Sequence, residues 1–154
     1  MVAFDRFLSR LFSHGLDQWI VKGGLALQLR LGASARTTKD IDLLVMGEVQ
    51  EIYPHLREAG AMDLGDWFAF EVMDTVHSDI DDIGSLRYRL HSLLDGRTFE
   101  RFHIDVSIGD PLLAPVECLE TPALLVFAGI EPTSVPCYPI TQQIAEKYHA
   151  FTRP

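Results

Sequence analysis

Residues 39–45, Lys39-Asp40-Ile41-Asp42-Leu43-Leu44-Val45, decide how this chain is organised. Side chains alternate between the two faces of a β-strand, so the apolar positions point to one face and Asp40 and Asp42 to the other. We therefore predict a strand from Lys39 to Met46. Two carboxylates this close repel each other unless a cation lies between them, which indicates a metal site. From the spacing alone, two solvated aspartates on an exposed strand remain the alternative.

A glycine turn lies just upstream of this strand. Trp19 to Val21 reads as a short strand that runs into Lys22-Gly23-Gly24, and the apolar residues that follow predict a helix closed by Gly32. Backbone N–H groups at such a turn, together with the helix dipole, favour binding of a phosphate. A tight strand-to-helix connection is the alternative interpretation.

Residues 86–108 are predicted to form a β-hairpin that turns at Asp95-Gly96. A loop of three residues, Asp95-Gly96-Arg97, pairs Leu90 with Phe102 and keeps the apolar positions on one face, whereas a two-residue loop does not. We expect the longer loop. Its register gathers a polar set on the opposite face of the hairpin: Arg87, Arg89, His91, Arg101, His103 and Asp105.

Asp105 interrupts an otherwise strong strand pattern, and aspartate is a poor strand former. It is either a third metal ligand beside Asp40 and Asp42 or the salt-bridge partner of Arg87, which the register places opposite it. Three carboxylates can hold two Mg²⁺ ions, one activating an attacking hydroxyl and one stabilising a leaving pyrophosphate.

The composition limits the possible functions. The chain has 154 residues, of which 47% are hydrophobic, so it can bury one core, and we expect one domain over residues 1–154. Its net charge of −9 argues against a surface that holds nucleic acid by overall charge. Charged residues interrupt the first sixteen positions, and the longest apolar run, Ala123 to Ile130, is too short to span a bilayer. We expect a cytoplasmic protein.

Hydrophobic periodicity predicts the remaining elements. The pattern indicates helices from the N-terminus to about Gly15, from Glu48 to Ala59 and from Ile140 to Phe151, a strand from Trp67 to Met73, and an acidic loop from Asp74 to Gly84. Prolines delimit an extended segment from Ser134 to Pro139. On the last helix we expect Ile144, Tyr148 and Phe151 to point inward. The aromatic residues Trp67, Phe68 and Phe70 are predicted to pack in the core rather than to stack on a base.

Three stretches together resemble one known family, the AbiE-type toxin nucleotidyltransferases. This family includes the MenT toxins of mycobacteria and belongs to the polymerase-β-like superfamily. The stretches are Lys22 to Leu27 (KGGLAL), Arg36 to Leu43 (RTTKDIDL) and Gln143 to Ala150 (QIAEKYHA), which match in order and in spacing.

The resemblance implies an α/β fold with a mixed, partly antiparallel sheet flanked by helices. It implies that Asp40 and Asp42 bind Mg²⁺. With Asp105 as the third ligand argued above, we expect two Mg²⁺ ions, and we expect these three carboxylates and Lys147 to be the catalytic residues. Lys147 would contact a phosphate, and Gly23 and Gly24 would lie at the triphosphate of an NTP. The full set of nucleotide-binding residues that we expect is Lys22, Gly23, Gly24, Arg36, Thr38 and Lys39.

The chain departs from the family pattern at three places. Leu25 stands where the family usually has Thr or Ser, which removes one hydroxyl contact to phosphate, and Thr141 stands where Glu is common. Family members also continue past Thr152-Arg153-Pro154 into a helical region with a further Lys and Asp. We therefore expect a catalytic domain without that region.

The resulting hypothesis is a toxin of a toxin–antitoxin system that transfers NMP from an NTP to an RNA. MenT relatives act on the 3′ end of tRNA with pyrimidine nucleotides, and other AbiE-type members are described as binding GTP, so the base stays open. An acceptor hydroxyl would attack the α-phosphate, with Asp105 as general base or second-metal ligand. Arg36, Lys39 and Lys147 would neutralise phosphate charge.

Two alternatives stay open beside this hypothesis. The same metal site could transfer a nucleotide to a small molecule or a protein, or the domain could bind a nucleotide or a cognate antitoxin without catalysis. We further expect Arg89 and Arg101 to guide the acceptor strand, because an acidic protein needs a local cationic path for a polyanion. Surface salt bridges to the acidic loop are the alternative role for these arginines.

Overall fold

A computed structural model of the chain describes residues 1–13, 18–73 and 85–152. These residues contain four α-helices and seven strands. The helices are α1 (Val2–Ser13), α2 (Gly23–Leu31), α3 (Val49–Ala61) and α4 (Ile140–Thr152). The strands are β1 (Trp19–Val21), β2 (Asp40–Val45), β3 (Phe68–Met73), β4 (Ser85–Leu94), β5 (Arg97–Ile108), β6 (Glu117–Glu120) and β7 (Ser134–Cys137).

The strands form one mixed sheet in the order β3-β4-β5-β2-β1-β7-β6. The β2–β5 and β1–β7 pairs are parallel. The other four neighbouring pairs, β1–β2, β3–β4, β4–β5 and β6–β7, are antiparallel. The predicted fold class, α/β with a mixed, partly antiparallel sheet, is therefore confirmed. Strand β6 has no counterpart in the sequence-based expectations.

One face of the sheet packs against α1 and α3. Apolar side chains of β2 and β5, such as Ile41 and Ile104, are fully buried in the same core as residues of both helices. Aromatic rings join α1 to β5, with the centroids of Phe4 and Phe102 4.8 Å apart. Because strand side chains alternate, this packing leaves the aspartates of β2 on the opposite face.

The hairpin β4–β5 has the predicted register but not the predicted loop. Leu90 pairs with Phe102 and Arg87 with Asp105, as expected. The turn, however, has only two residues, Asp95 and Gly96, both with positive φ (49° and 71°), since Leu94 pairs with Arg97. A register shift at Ser92/Leu93 supplies the extra residue on β5. A β-bulge therefore restores the matching of apolar faces that the longer loop was expected to provide.

Three inward positions predicted for the last helix are wrong. Ile144, Tyr148 and Phe151 are 59%, 71% and 90% exposed, because no element in the described part of the chain covers the face of α4 on which they lie. The prediction for the aromatic cluster holds in part: Phe68 and Phe70 are buried. Trp67 is 75% exposed with a φ of 64°, and the strand begins one residue later than expected.

Some expectations concern residues outside the described ranges. These are the end of the first helix near Gly15 and the acidic loop from Asp74 to Gly84. Other boundaries shift by one or two residues, with α3 beginning at Val49 rather than Glu48 and ending at Ala61. Within residues 1–13, 18–73 and 85–152, none of the helices has the length and apolar character needed to cross a membrane.

A buried ionic network joins α1 to the segment before β3. The Arg10 side chain is fully buried and donates to both oxygens of Asp66, with Nη1 2.9 Å from Oδ2, and to the Phe68 carbonyl at 2.8 Å. Arg6 donates from Nε to the same carboxylate at 2.8 Å. Burial alone raises the pKa of Asp66, but the hydrogen bonds from Arg10 and Arg6 outweigh it and hold that pKa below its usual 3.8.

Replacing Asp66 with Ala should lower the free energy of unfolding by about 3–5 kcal/mol, because the fully buried Arg10 guanidinium loses its counter-ion and Arg6 keeps only Asp5. Urea unfolding monitored by circular dichroism measures this. Glu58→Ala, an exposed carboxylate on α3, is the control and should change the free energy of unfolding by less than about 0.5 kcal/mol. The contribution of ionised Asp66 is present above pH 3.8 and is lost as pH falls through the lowered folded-state pKa.

Candidate active site

The predicted carboxylates meet on one face of the sheet. Asp40 and Asp42 share a face of β2, and Asp42 pairs directly with Asp105 on the parallel neighbour β5. Asp40 pairs in the same way with His103, whose Nδ1 lies 3.3 Å from Asp40 Oδ1. The expected arrangement of two carboxylates on one strand and a third beside them is thus what the structure shows.

Arg87 holds the third carboxylate. Its Nε and Nη2 atoms lie 2.6 and 2.7 Å from the two oxygens of Asp105, a bidentate ion pair between neighbouring strands. Among the residues that the structure describes, no three His, Cys, Asp or Glu side chains are placed to hold a metal ion as they stand. The sequence left two roles open for Asp105, and its position is compatible with both: it lies beside Asp42 and it is paired with Arg87.

The electrostatic balance at Asp42 favours a cation. Burial raises the pKa of Asp42 above its usual 3.8, and the neighbouring charges of Asp105 and Asp40 raise it further. A hydrogen bond from the Gly24 N–H and the charge of Lys22 act in the opposite direction but do not cancel the shift. Negative charge at this position is therefore undercompensated within the protein.

The glycine turn lies directly against Asp42. Gly24 N donates to Asp42 Oδ2 at 3.3 Å, and the backbone N–H of Lys22 donates to the Asp42 carbonyl at 2.8 Å. A Cβ atom on Gly23 would lie 1.8 Å from Asp42 Oδ2, and the φ of Gly23 is +61°. Only glycine fits at residue 23, because a side chain there would collide with the carboxylate and strain the backbone.

Lys22 points into the protein rather than into open solvent. Its Nζ lies 2.6 Å from Asp110 Oδ2 and 3.3 Å from Ser107 Oγ, and 4.7 Å above the centre of the Tyr138 ring. Ser107 lies two residues after Asp105, on the same face of β5. Lys22 therefore places a positive charge beside the carboxylates, and its ammonium is already bound by protein groups.

A cavity of about 270 Å³ opens beside the glycine turn. Four of the site residues predicted from the sequence line this cavity: Gly24, Arg36, Thr38 and Lys147. They come from three separate parts of the chain. Leu27 and Leu31 on α2 are among its apolar lining residues. The cavity combines cationic side chains, a helix N-terminus and an apolar wall, which are features that suit a nucleotide.

The other predicted nucleotide-binding residues do not line this cavity. Gly23 faces Asp42, Lys22 is engaged by Asp110, and Lys39 is exposed on the loop before β2. Sequence reasoning also missed Gln143, a 4% exposed residue whose Nε2 donates to the Gly23 carbonyl at 2.7 Å. It lies in the last of the three quoted stretches, but a lone glutamine carries no chemical signal that would single it out.

Comparison with known proteins decides the family. The sequence-family model described as nucleotidyl transferase AbiEii toxin, type IV toxin–antitoxin system, matches residues 6–154. The chain belongs to the AbiEii family. No curated protein sequence matches it.

Solved structures similar to this AbiEii chain have nucleotidyltransferase folds. MenT4, a nucleotidyltransferase toxin from Mycobacterium tuberculosis, superposes with a TM-score of 0.69 at 24% identity, covering 97% of this chain and 51% of its own. A putative nucleotidyltransferase from Helicobacter pylori gives a TM-score of 0.59 at 14% identity, covering 95% and 56%. JHP933, also from Helicobacter pylori, gives 0.56 at 14% identity, covering 95% and 55%. The AbiEii chain therefore spans about half the length of these structures.

Replacing Gly23 with Ala should displace Asp42 and weaken NTP binding by at least about tenfold, because the added Cβ occupies the position of the carboxylate. Isothermal titration calorimetry with Mg²⁺ and each of the four NTPs measures the affinity. Gly129→Ala is the matched control, since Gly129 also has a positive φ (+75°) but no atom within 4 Å of the added Cβ. Equal NTP affinities in the two variants would show that the close approach at Gly23 has no part in binding.

Proposed function

We propose that this AbiEii domain is the catalytic part of a toxin that transfers a nucleoside monophosphate from an NTP to a hydroxyl group of an RNA, with Mg²⁺ as cofactor. The observation that carries the proposal is the meeting of Asp40, Asp42 and Asp105 on one sheet face, directly beside the glycine turn and its cavity. The family supports nucleotidyl transfer and an antitoxin as partner. The RNA acceptor rests on the cationic surface argued below.

The residues present fit a divalent cation of this kind. Mg²⁺ prefers oxygen ligands, and Asp40 and Asp42 offer carboxylates from adjacent same-face positions of a rigid strand. Burial and the neighbouring carboxylates raise the pKa of Asp42, and a bound cation would stabilise its charged form. Asp105 could join these ligands when its bond to Arg87 opens. Such an ion would supply charge neutralisation at the transferred phosphate and lower the pKa of the attacking hydroxyl.

The protein groups around the carboxylates have separate tasks in this scheme. The start of α2 at Gly24 and the side chains of Arg36 and Lys147 hold the triphosphate of the NTP. The acceptor hydroxyl attacks the α-phosphorus, the bond to the bridging oxygen breaks, and pyrophosphate leaves. The hydroxyl proton passes to a carboxylate oxygen of Asp105. Arg87 must release one of the two Asp105 oxygens before the proton can bind there.

The cationic surface suited to the acceptor lies on the same sheet face as the carboxylates, on strands β4 and β5 next to Asp40. Arg89 pairs with His103, which in turn contacts Asp40, and the next row pairs His91 with Arg101. A cavity of about 260 Å³ lies among these four side chains. In a chain with a net charge of −9, this cluster places positive charge where a polyanion would have to pass.

A second candidate function is a domain that binds a nucleotide or an antitoxin without transferring a nucleotide. The Arg87–Asp105 ion pair favours it, because a guanidinium group that permanently occupies the third carboxylate would leave only two ligands for metal ions. Transfer by the same site to a small molecule or a protein is the alternative within the enzyme class. An assay with α-³²P-labelled NTPs, offering RNA, protein and small-molecule hydroxyl acceptors in parallel, separates the three.

Replacing Asp42 with Asn should abolish labelling of RNA from α-³²P-labelled NTP, because the amide has the shape of the carboxylate but cannot bind the cation with a negative charge. Labelling by the wild-type chain must disappear with EDTA and return with Mg²⁺. An Asp42→Asn protein that labels RNA at the normal rate would show that the chemistry occurs elsewhere.

Thermal stability provides the folding control for this variant. Because the folded-state pKa of Asp42 lies above its unfolded value of 3.8, ionisation of Asp42 destabilises the folded protein. Without metal, Asp42→Asn should therefore have the same or a higher Tm than wild type near neutral pH. The difference should vanish as pH falls below 3.8, where Asp42 is protonated in both states.

Replacing both Arg89 and Arg101 with Ala should weaken binding of a fluorescent single-stranded oligoribonucleotide without changing NTP affinity. The loss of two phosphate contacts should flatten the slope of log K against log salt by about 1.4. Fluorescence anisotropy over a series of KCl concentrations measures both quantities. If RNA affinity and its slope stay at wild-type values, these arginines do not form the acceptor surface.

Arg57→Ala is the matched control for the double variant. Arg57 is exposed on α3, which packs on the opposite face of the sheet from Arg89 and Arg101. Its removal changes the net charge in the same direction and should leave RNA binding unaltered. An equal loss of affinity with Arg57→Ala would assign RNA binding to overall charge rather than to the hairpin face.

A further inference from the structure

Two neighbouring glutamines attach the last helix to the rest of the protein. Gln142 and Gln143 are the buried residues of α4, 8% and 4% exposed, whereas residues 144–152 are all exposed. Uncharged amides this deeply buried lose their hydrogen bonds to water, so each must find protein partners. Their partners therefore show what each glutamine connects.

The two side chains bind different parts of the fold. The amide of Gln142 donates to the Pro111 carbonyl at 2.8 Å and to the hydroxyl of Tyr138, and its oxygen accepts from Leu113 N at 2.9 Å. Gln142 thus joins α4 to the segment after β5. Gln143 instead donates to the Gly23 carbonyl at 2.7 Å, across 120 residues of sequence.

The chemistry of the contact fixes the orientation of the Gln143 amide. A carbonyl oxygen can only accept a hydrogen bond, so the NH₂ group of Gln143 must face Gly23. Its own oxygen is buried, and no group in the described part of the chain donates to it. The conformation therefore leaves one polar atom unsatisfied, and the bond to the glycine turn is retained at that cost.

This bond acts on the peptide that follows Gly23. The Gly23 carbonyl and the Gly24 N–H belong to the same planar peptide group, so a donor that holds the oxygen also sets the direction of the N–H. That N–H points to Asp42 Oδ2 at 3.3 Å, and Gly24 is one of the residues that line the cavity beside α2. Lys147 lies one helical turn beyond Gln143 and lines the same cavity.

We propose that Gln143 is a positioning residue that orients the Gly23–Gly24 peptide and aligns it with Lys147 for binding of the triphosphate. The inference rests on the proposed function, since it assigns the cavity to an NTP. Gln143 does not contact the nucleotide; it acts through the glycine turn. Its effect should fall on nucleotide binding in the ground state and the transition state alike, which raises KM with little change in kcat.

The test compares Gln143→Ala with Gln142→Ala, two substitutions that remove adjacent amides of similar burial. Gln143→Ala should weaken binding of Mg²⁺-NTP, measured by calorimetry with each NTP, by about tenfold, the loss expected for one hydrogen bond. Its KM in the transfer assay should rise by a similar factor, and kcat should change little. Gln142→Ala should lower Tm but leave NTP affinity at the wild-type value.

Hydrogen–deuterium exchange without nucleotide provides a readout that does not depend on activity. The backbone amides of residues 22–27 should exchange faster in Gln143→Ala than in wild type or Gln142→Ala, because the turn loses its restraint. If exchange in this segment is the same in both variants, the inference is overturned even where the enzyme is active. If wild type binds no NTP, the proposed function fails, and exchange still decides whether Gln143 orders the turn.

Gln143→Glu separates the hydrogen bond from the space that the side chain fills. An ionised carboxylate has no proton to donate and repels the Gly23 carbonyl, so NTP affinity at neutral pH should be no better than in Gln143→Ala. As pH falls, the protonated carboxyl group can donate, and the affinity relative to wild type at the same pH should recover. Wild-type affinity for Gln143→Glu at neutral pH would contradict the proposed role.

Discussion

The close approach of Gly23 to Asp42 is the constraint on which the candidate site depends. The backbone of α2 begins against a carboxylate of β2, at a distance that no side chain on residue 23 would allow. This contact brings the N-terminus of the helix, with its positive dipole end, to the strand that carries the carboxylates. Phosphate-binding and metal-binding groups therefore adjoin because two backbone segments touch, and long flexible side chains are not needed to join them.

The charges around this contact show how the protein tolerates three neighbouring carboxylates. Arg87 is paired with Asp105, His103 lies beside Asp40, and the Gly24 N–H and the nearby Lys22 act on Asp42. The pKa of Asp42 is nevertheless raised, because burial and the two neighbouring carboxylates outweigh these groups. The opposite face of the sheet is stabilised by a different type of interaction, in which two buried arginines, Arg6 and Arg10, are balanced by two buried carboxylates, Asp66 and Asp5.

Much of the site could be predicted because it depends on local patterns. The alternation of side chains along β2 places Asp40 and Asp42 on one face, independently of the tertiary contacts of the strand. The hairpin register was also correct, since a one-residue slip would have turned every apolar residue of β5 to the other face. The loop was wrong because a two-residue turn with a bulge and a three-residue loop give the same register further along the strands. Sequence patterns cannot distinguish two backbone routes that lead to the same side-chain faces.

The sequence by itself determined the strand carboxylates, the glycine turn and the α/β class, because each follows from residue types at short spacing, and three stretches of it resembled the family. Only the tertiary structure decided which groups those residues meet. Arg10 is a charged residue on an amphipathic helix, yet it is fully buried because Asp66 and the Phe68 carbonyl receive its hydrogen bonds. Gln143 binds Gly23 across 120 positions, and the apolar residues after it are exposed because no described element covers their face of α4. Hydrophobic periodicity predicts which side chains share a face of an element. Whether that face is buried depends on a second element that covers it, and contacts between distant parts of the chain decide this.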